Sequence, residues 1–400
     1  MNALRTLFLI TLLADGSQAF GHESTETPVQ PSEGLKISGA VATHWRSEAI
    51  VPANRRWIVP GFFMGGEAFP RPNGFHLDEA SLSASFRHES SFVAAKIGQH
   101  GEEDAKFEHV WIGHFLSDGL LLEAGKMTSL MTSQHAQHSS QARFADNPLM
   151  DDVFWGRHYA DTGARLRSFW PNIGLELGLE IWQGERFPSD RDEKNQESGT
   201  AYIRWQLDSD AWMQRVGLFY FDGQAARRKD DRYEAGHSHG VDLTTIPAFY
   251  FKGDVEIFGG EATSSLVLGP ESSIGVEAGW QAFRSRGELA DLTRTAPIET
   301  DSRAAKVELF GQWAQHLVAS RYESLQFRNT LKGAAAGVLA DAAALKGGAS
   351  PFRATLAYQY QWDEAFRLRA EWTRDFTTIR EIDLGLVGFV WFQAYQAKGM

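Results

Sequence analysis

The sequence predicts an all-β fold, a transmembrane antiparallel up-and-down β-barrel of 16 to 18 strands. Three observations carry the prediction. Residues 173–182 read Ile-Gly-Leu-Glu-Leu-Gly-Leu-Glu-Ile-Trp, with large aliphatics at every odd position and glycine or glutamate at every even one as far as Glu180. A strand sends successive side chains to opposite faces, so one face here is wholly apolar and the other polar. Such alternation recurs along almost the whole chain. Short and long connections also alternate, which puts tight turns on one rim and loops on the other, as in outer-membrane barrels. A soluble β-sandwich alternates too, but it buries its apolar face in one shared core and spans roughly 100 to 250 residues. The 400 residues here, with one-sided loops, favour the barrel.

Residues 1–19 fit a secretory signal. Arg5 gives the positive start, Leu7 to Leu13 the apolar core, and Ser17-Gln18-Ala19 a small-x-small cleavage site. Residues 20–34 are polar, with Pro28, Pro31 and Gly34 near the end, and read as a periplasmic tail. The barrel is expected over 35–400.

Expected tight turns are residues 88–91, 117–119, 170–172, 208–210, 269–272, 313–316 and 362–365, most by their Gly, Pro, Asn, Asp or Ser content. Expected long loops are 46–75, 100–107, 129–158, 185–197, 223–241, 285–302 and 327–351. The strand count turns on Phe251-Lys252-Gly253-Asp254: 18 if it is a turn, 16 if a strand runs through it. Either count is even, so both ends lie in the periplasm. Further alternation is clear in Ile274, Val276, Ala278, Trp280 and Ala282, which share a face opposite Ser273, Gly275, Glu277, Gly279 and Gln281. Within the last long loop, the alanine- and leucine-rich run from Gly333 to Gly348 favours a short helix capped by the glycines at its end, able to fold over the barrel mouth; a low-complexity loop with no role is the equal alternative.

No stretch of eighteen apolar residues occurs, so no transmembrane helix is expected. The absence of cysteine excludes disulfides and thiolate-held metals. A net charge of −12 argues against nucleic acid as a partner. Thirteen tryptophans suit the aromatic girdles of a barrel.

The inward faces should carry both signs of charge: Glu123, Glu176, Glu180, Glu277, Glu308 and Glu371 against Arg165, Arg167, Lys306, Arg367 and Arg369. In a wide barrel such groups either bias which ions pass or simply hydrate and brace the wall. Loop 129–158 lies where porins fold a loop inward. It carries His135, His138 and Asp146, and loop 223–241 adds Asp230, Asp231, Glu234, His237 and His239. Histidine with carboxylate suits zinc or nickel, although an ordinary polar loop has the same composition.

The run Glu123-Ala124-Gly125-Lys126, the histidine pair, Phe144-Ala145-Asp146-Asn147-Pro148-Leu149, Phe154-Trp155-Gly156 and Tyr159-Ala160-Asp161-Thr162-Gly163 resembles a family of zinc-regulated outer-membrane β-barrels of proteobacteria. Residues 174–178 and 184–188 are also similar, and 352–375 resembles the family's late hairpin. The chain departs from the family in spacing its histidines three apart instead of two, in placing Ala142-Arg143 before Phe144, and in ending Tyr395-Gln396-Ala397-Lys398-Gly399-Met400 without a terminal aromatic. The resemblance therefore carries over His135, His138 and Asp146 as zinc ligands, and nothing more.

The expected function is a porin-like outer-membrane channel for passive diffusion of small solutes or ions. The alternative is a zinc-binding outer-membrane protein assisting metal uptake. Partners are outer-membrane lipid, the solutes and further copies of the chain. No His-Glu-x-x-His motif occurs, and an enzyme is not expected.

Overall fold

The computed structural model describes residues 33–50, 57–69, 72–101, 105–133, 140–191, 197–230, 232, 249–346, 350–378 and 381–396. The expected signal, and all of the expected tail but Glu33 and Gly34, lie outside them. Gly34 is the first residue of the first strand.

In chain order the strands are β1 (Gly34–Arg46), β2 (Gly74–His88), β3 (Ser91–Gln99), β4 (Lys106–Ser117), β5 (Leu120–Thr128), β6 (Ala160–Trp170), β7 (Leu175–Trp182), β8 (Ser198–Asp208), β9 (Trp212–Arg228), β10 (Tyr250–Gly269), β11 (Ser272–Ala290), β12 (Thr295–Trp313), β13 (His316–Leu331), β14 (Phe352–Gln361), β15 (Phe366–Asp375) and β16 (Ile382–Gln396). Helix α1 (Leu149–Phe154) lies between β5 and β6, and α2 (Ala336–Ala342) between β13 and β14. Each strand pairs antiparallel with its sequence neighbours, and β1 pairs with β16 from Lys36↔Gln396 to Arg46↔Leu386, which closes a 16-stranded barrel. Closure leaves no free sheet edge, the condition for spanning hydrocarbon with strands.

The count is 16 because β10 runs straight through residues 251–254. There the ladder shifts register between Phe251 and Gly253. Gly253 takes φ 156°, and a Cβ on it would lie 2.1 Å from the Arg286 carbonyl oxygen. Glycine at that position makes a bulge, and not a turn. The seven expected tight turns all join consecutive strands on one rim, which also carries both ends of the barrel. The expected loop 285–302 is overturned. Strands β11 and β12 pair as far as Ala290↔Thr295, leaving a tip of 291–294 in which Asp291 Oδ1 accepts the backbone N–H of Thr293 at 2.8 Å and of Arg294 at 2.7 Å. The expected loop 223–241 likewise starts later, after β9 ends at Arg228.

The physical reason for both errors is an inversion of polarity within the long strands. Along β11, Ile274, Val276 and Trp280 point outward and are exposed, and Glu277 and Gln281 point inward and are buried. Past Ala282 the same outward face carries Arg284, Arg286 and Glu288, and the inward face carries Phe283 and Leu289, both buried. β9 changes from outward Val216, Leu218 and Tyr220 to outward Asp222, with Phe221 turned inward. β10, β12 and β13 do the same. The strands keep their period of two but change solvent: hydrocarbon outside and polar lumen inside on the turn side, water outside and apolar core inside on the loop side. Outward aromatics mark both borders. Trp170, Trp212, Trp313 and Trp362 stand near the turn rim, and Trp45, Phe75, Tyr220 and Trp280 near the inversion. From Trp212 to Tyr220 is eight residue steps, roughly 20 Å along the axis of a barrel with strands tilted about 40°.

The loop-side core is filled by connections folded inward. Phe62 packs edge-on against Phe283 with ring centroids 4.9 Å apart, and Trp155 against Phe221 at 5.1 Å. Leu339 of α2 is fully buried in the same cluster. The expected helix is thus present and roofs this core. Gly61 N–H donates to Ala344 O at 2.8 Å, and the Asn329 side-chain amide donates to Gly61 O at 2.7 Å and Leu345 O at 3.0 Å. Ala344, two residues after α2, takes a positive φ of 55°, and the glycines expected to cap the helix, Gly347 and Gly348, lie outside the described residues.

Candidate functional site in the lumen

The described parts of the β5–β6 connection, residues 129–133 and 140–159, fold into the lumen, as its position predicted. Its backbone is held by charged side chains that the strand period points inward. Wall carboxylates accept its N–H groups: Glu180 that of Leu130 at 2.9 Å, Glu261 that of Ser133 at 2.9 Å, Glu79 that of Ser140 at 3.2 Å, Glu371 that of Ala145 at 2.7 Å and Glu323 that of Leu149 at 2.5 Å. Wall cations donate to its carbonyls: Arg321 to Asp146 O at 3.0 Å, Arg353 to Asn147 O at 2.6 Å, and Arg369 to Ala142 O. The contacts come from strands all round the barrel, so the loop crosses the lumen instead of lining one side.

Two ion-paired clusters complete the crossing. Arg143 of the loop reaches Glu277 and lies 2.9 Å from Glu308, and Lys306 lies 2.6 Å from Glu277 and 3.4 Å from Glu308. Arg46 of β1 grips both carboxylate oxygens of Asp146 at 2.8 and 3.0 Å. Each charge is compensated where burial would otherwise be costly. In α1, Asp151 accepts the Gln281 amide at 3.1 Å, and Gln281 in turn accepts Trp155 Nε1–H at 2.8 Å. Burial pushes the Asp151 carboxyl up to about 7, against the pull of Lys306 and of the Gln281 hydrogen bond.

The structure turns the expected pore-lining residues inward, all of them buried except Arg367. Arg165 bonds Glu123 at 2.8 Å and lies 3.4 Å from Glu180, Arg167 bonds Glu176 at 2.9 Å, and Arg367, half-buried, bonds Gln359 at 3.0 Å. Much of this charge therefore braces the wall or holds the loop. Of the expected metal ligands, His135, His138, His237 and His239 lie outside the described residues, and Asp146 is held by Arg46. No group of three or more His, Asp or Glu side chains among the described residues is arranged to hold a metal ion. Sequence reasoning missed Arg46, Glu79, Arg143, Glu261, Arg321, Glu323 and Arg353. All but Arg143 obey the inward parity of their strands, so extending the period across each full strand would have found them.

No protein-family model matches the chain, and no curated protein does. Solved structures do match. A loop L8 deletion mutant of OmpT, an outer membrane protein of Vibrio cholerae, is 13% identical, with a TM-score of 0.54 over 90% of this chain and 99% of that one. OprB of Pseudomonas putida, in its high-pH structure, is 10% identical, with a TM-score of 0.51 over 90% of this chain and 93% of that one. At such identities the likeness concerns the backbone alone, and it is plain: this chain has the outer-membrane β-barrel fold.

Proposed function

We propose that the protein is an outer-membrane, porin-like channel for passive diffusion of small solutes or ions. One observation carries the reading: an apolar outer belt and a charged lumen are combined with a loop anchored across that lumen. A membrane anchor alone needs only the belt. A charged interior supports flow of hydrated solutes, and a crossing loop restricts their size. The zinc-uptake reading has less behind it, because the described ligand candidates, Asp146 and Asp230, are held by Arg46 and Arg232.

Purified folded protein in a planar bilayer is expected to give stepwise conductance. A bilayer that stays sealed at every voltage, with the barrel shown to be folded and inserted, would remove the channel.

A further inference from the structure

We propose that the turn-side lumen between β6 and β9 is a binding site for a small carboxylate solute, with Arg204 as its anchor. The proposal deepens the channel reading by naming a class of solute, and rests on it only for how the solute arrives.

A cavity of about 580 Å³ opens there, lined among others by Arg167, Glu176, Arg204, Gln206, Asp208 and Arg215. Its guanidinium groups are held differently. Arg167 Nε donates to Glu176 at 2.9 Å, and Arg215 donates from Nε and Nη2 to the neutral Gln206 Oε1 at 3.2 and 3.0 Å. Arg204 has only a distant acid, with Nη1 3.8 Å from Glu176. Its Nε and Nη2 are buried without a hydrogen-bond partner. Those two nitrogens share one edge of the guanidinium, the edge that takes both oxygens of a carboxylate. Unmet donors on a buried cation are costly, so the fold keeps an interaction there unfilled.

The surroundings preorganise that edge. The Tyr202 ring lies 4.9 Å from the Arg204 guanidinium carbon, and the Tyr202 hydroxyl donates to Glu176 at 3.0 Å. Gly178 makes room for the ring, since a Cβ there would lie 2.1 Å from it. Arg215 sits one diagonal away on the β8–β9 ladder, where Arg204 faces Gly217 and Gln206 faces Arg215. The opposing acids are already engaged: Glu176 with Arg167 and Tyr202, and Asp208, at the exposed rim, with the Gln206 amide at 2.6 Å.

Equilibrium dialysis of radiolabelled succinate against the detergent-solubilised, folded full-length barrel tests this. Saturable binding is expected, weakened about tenfold or more in Arg204→Gln, the loss of one charge-assisted pair. Arg204→Lys keeps the charge but loses the edge, and is expected to bind less tightly than the native protein. Arg303→Gln, on the exposed outer face, should bind as the native protein does. If Arg204→Gln fails to fold, Arg215→Gln serves in its place, with severalfold weakening expected. No saturable binding, or affinity unchanged in these lumen variants, overturns the proposal; tighter binding of inorganic phosphate than of succinate overturns the carboxylate assignment. Succinate binding by a barrel that does not conduct would sink the channel and leave this site standing.

Discussion

Arg46 and Asp146 join the first strand to the crossing loop through two hydrogen bonds of 3.0 and 2.8 Å. Arg46 is almost fully buried, whereas Asp146 keeps some solvent contact, so breaking the pair should cost toward the low end for a buried ion pair, about 2–3 kcal/mol. Arg46→Met should lower the unfolding free energy by that amount, read as a lower urea midpoint at unchanged slope, and make the open-channel current noisier. A native midpoint and a quiet trace would show that the pair does not hold the loop. Asp151 adds a pH dependence. Its carboxyl is raised to about 7 by burial, from an ordinary value near 3.8. The groups facing it are Gln281, Lys306, Asp152 and Glu261. An acid raised in the folded state binds more protons there than in the unfolded chain between these two values. The stability it contributes is complete below pH 4 and falls as pH rises to 7. The loop should therefore resist proteolysis better at pH 5 than at pH 8. Asp151→Asn should flatten that difference, and an undiminished pH effect in the variant would assign it to another group.

At the scale of elements, most of the tight turns were legible because glycine, proline and aspartate announce them. The membrane-spanning halves of the strands were legible because their apolar residues all fall on one parity. The loop-side halves of β11 and β12 were not, because at Ala282 and Arg303 the apolar parity changes sides. A rule that equates outward with apolar sees noise there and reads a loop over 285–302, although the period of two continues without a break. The inversion predicts opposite tolerances on a single face of β9. Val216 and Gln224 both point outward, eight residues apart, the first into lipid and the second into water. Val216→Arg should cost about 2–4 kcal/mol in vesicle unfolding, and Gln224→Arg about 0–1. Equal costs would place the hydrocarbon border elsewhere. On the inward face, Phe221→Ala should cost about 3–5 kcal/mol, since it empties a ring-packed position in the loop-side core.

For the whole molecule, the strand parity told which charges face inward but not what they face. That information lies in pairings such as Glu371 with Ala145 and Glu323 with Leu149, more than 170 residues apart in sequence, which no local pattern announces. The result is a barrel with two interiors, a charged one below and a greasy one above, with the crossing loop contributing to both: Arg143 and Asp146 to the first, Phe154, Trp155 and Tyr159 to the second. Removing the loop should therefore have two separable effects. Thr128 and Ala160 already face each other at the end of the β5–β6 ladder, so residues 129–159 can be replaced by an Asn-Gly hairpin turn without moving either strand. Unit conductance is expected to rise severalfold, because the element that crosses the lumen is gone. Thermal stability is expected to fall, because Phe221 and Phe283 lose the rings of Phe154, Trp155 and Tyr159 that pack against them and water reaches an apolar wall. A trimmed barrel with native unit conductance would show that the constriction is set by the loop-side core or the turn-side rim, and the anchoring of 129–159 would then serve stability alone.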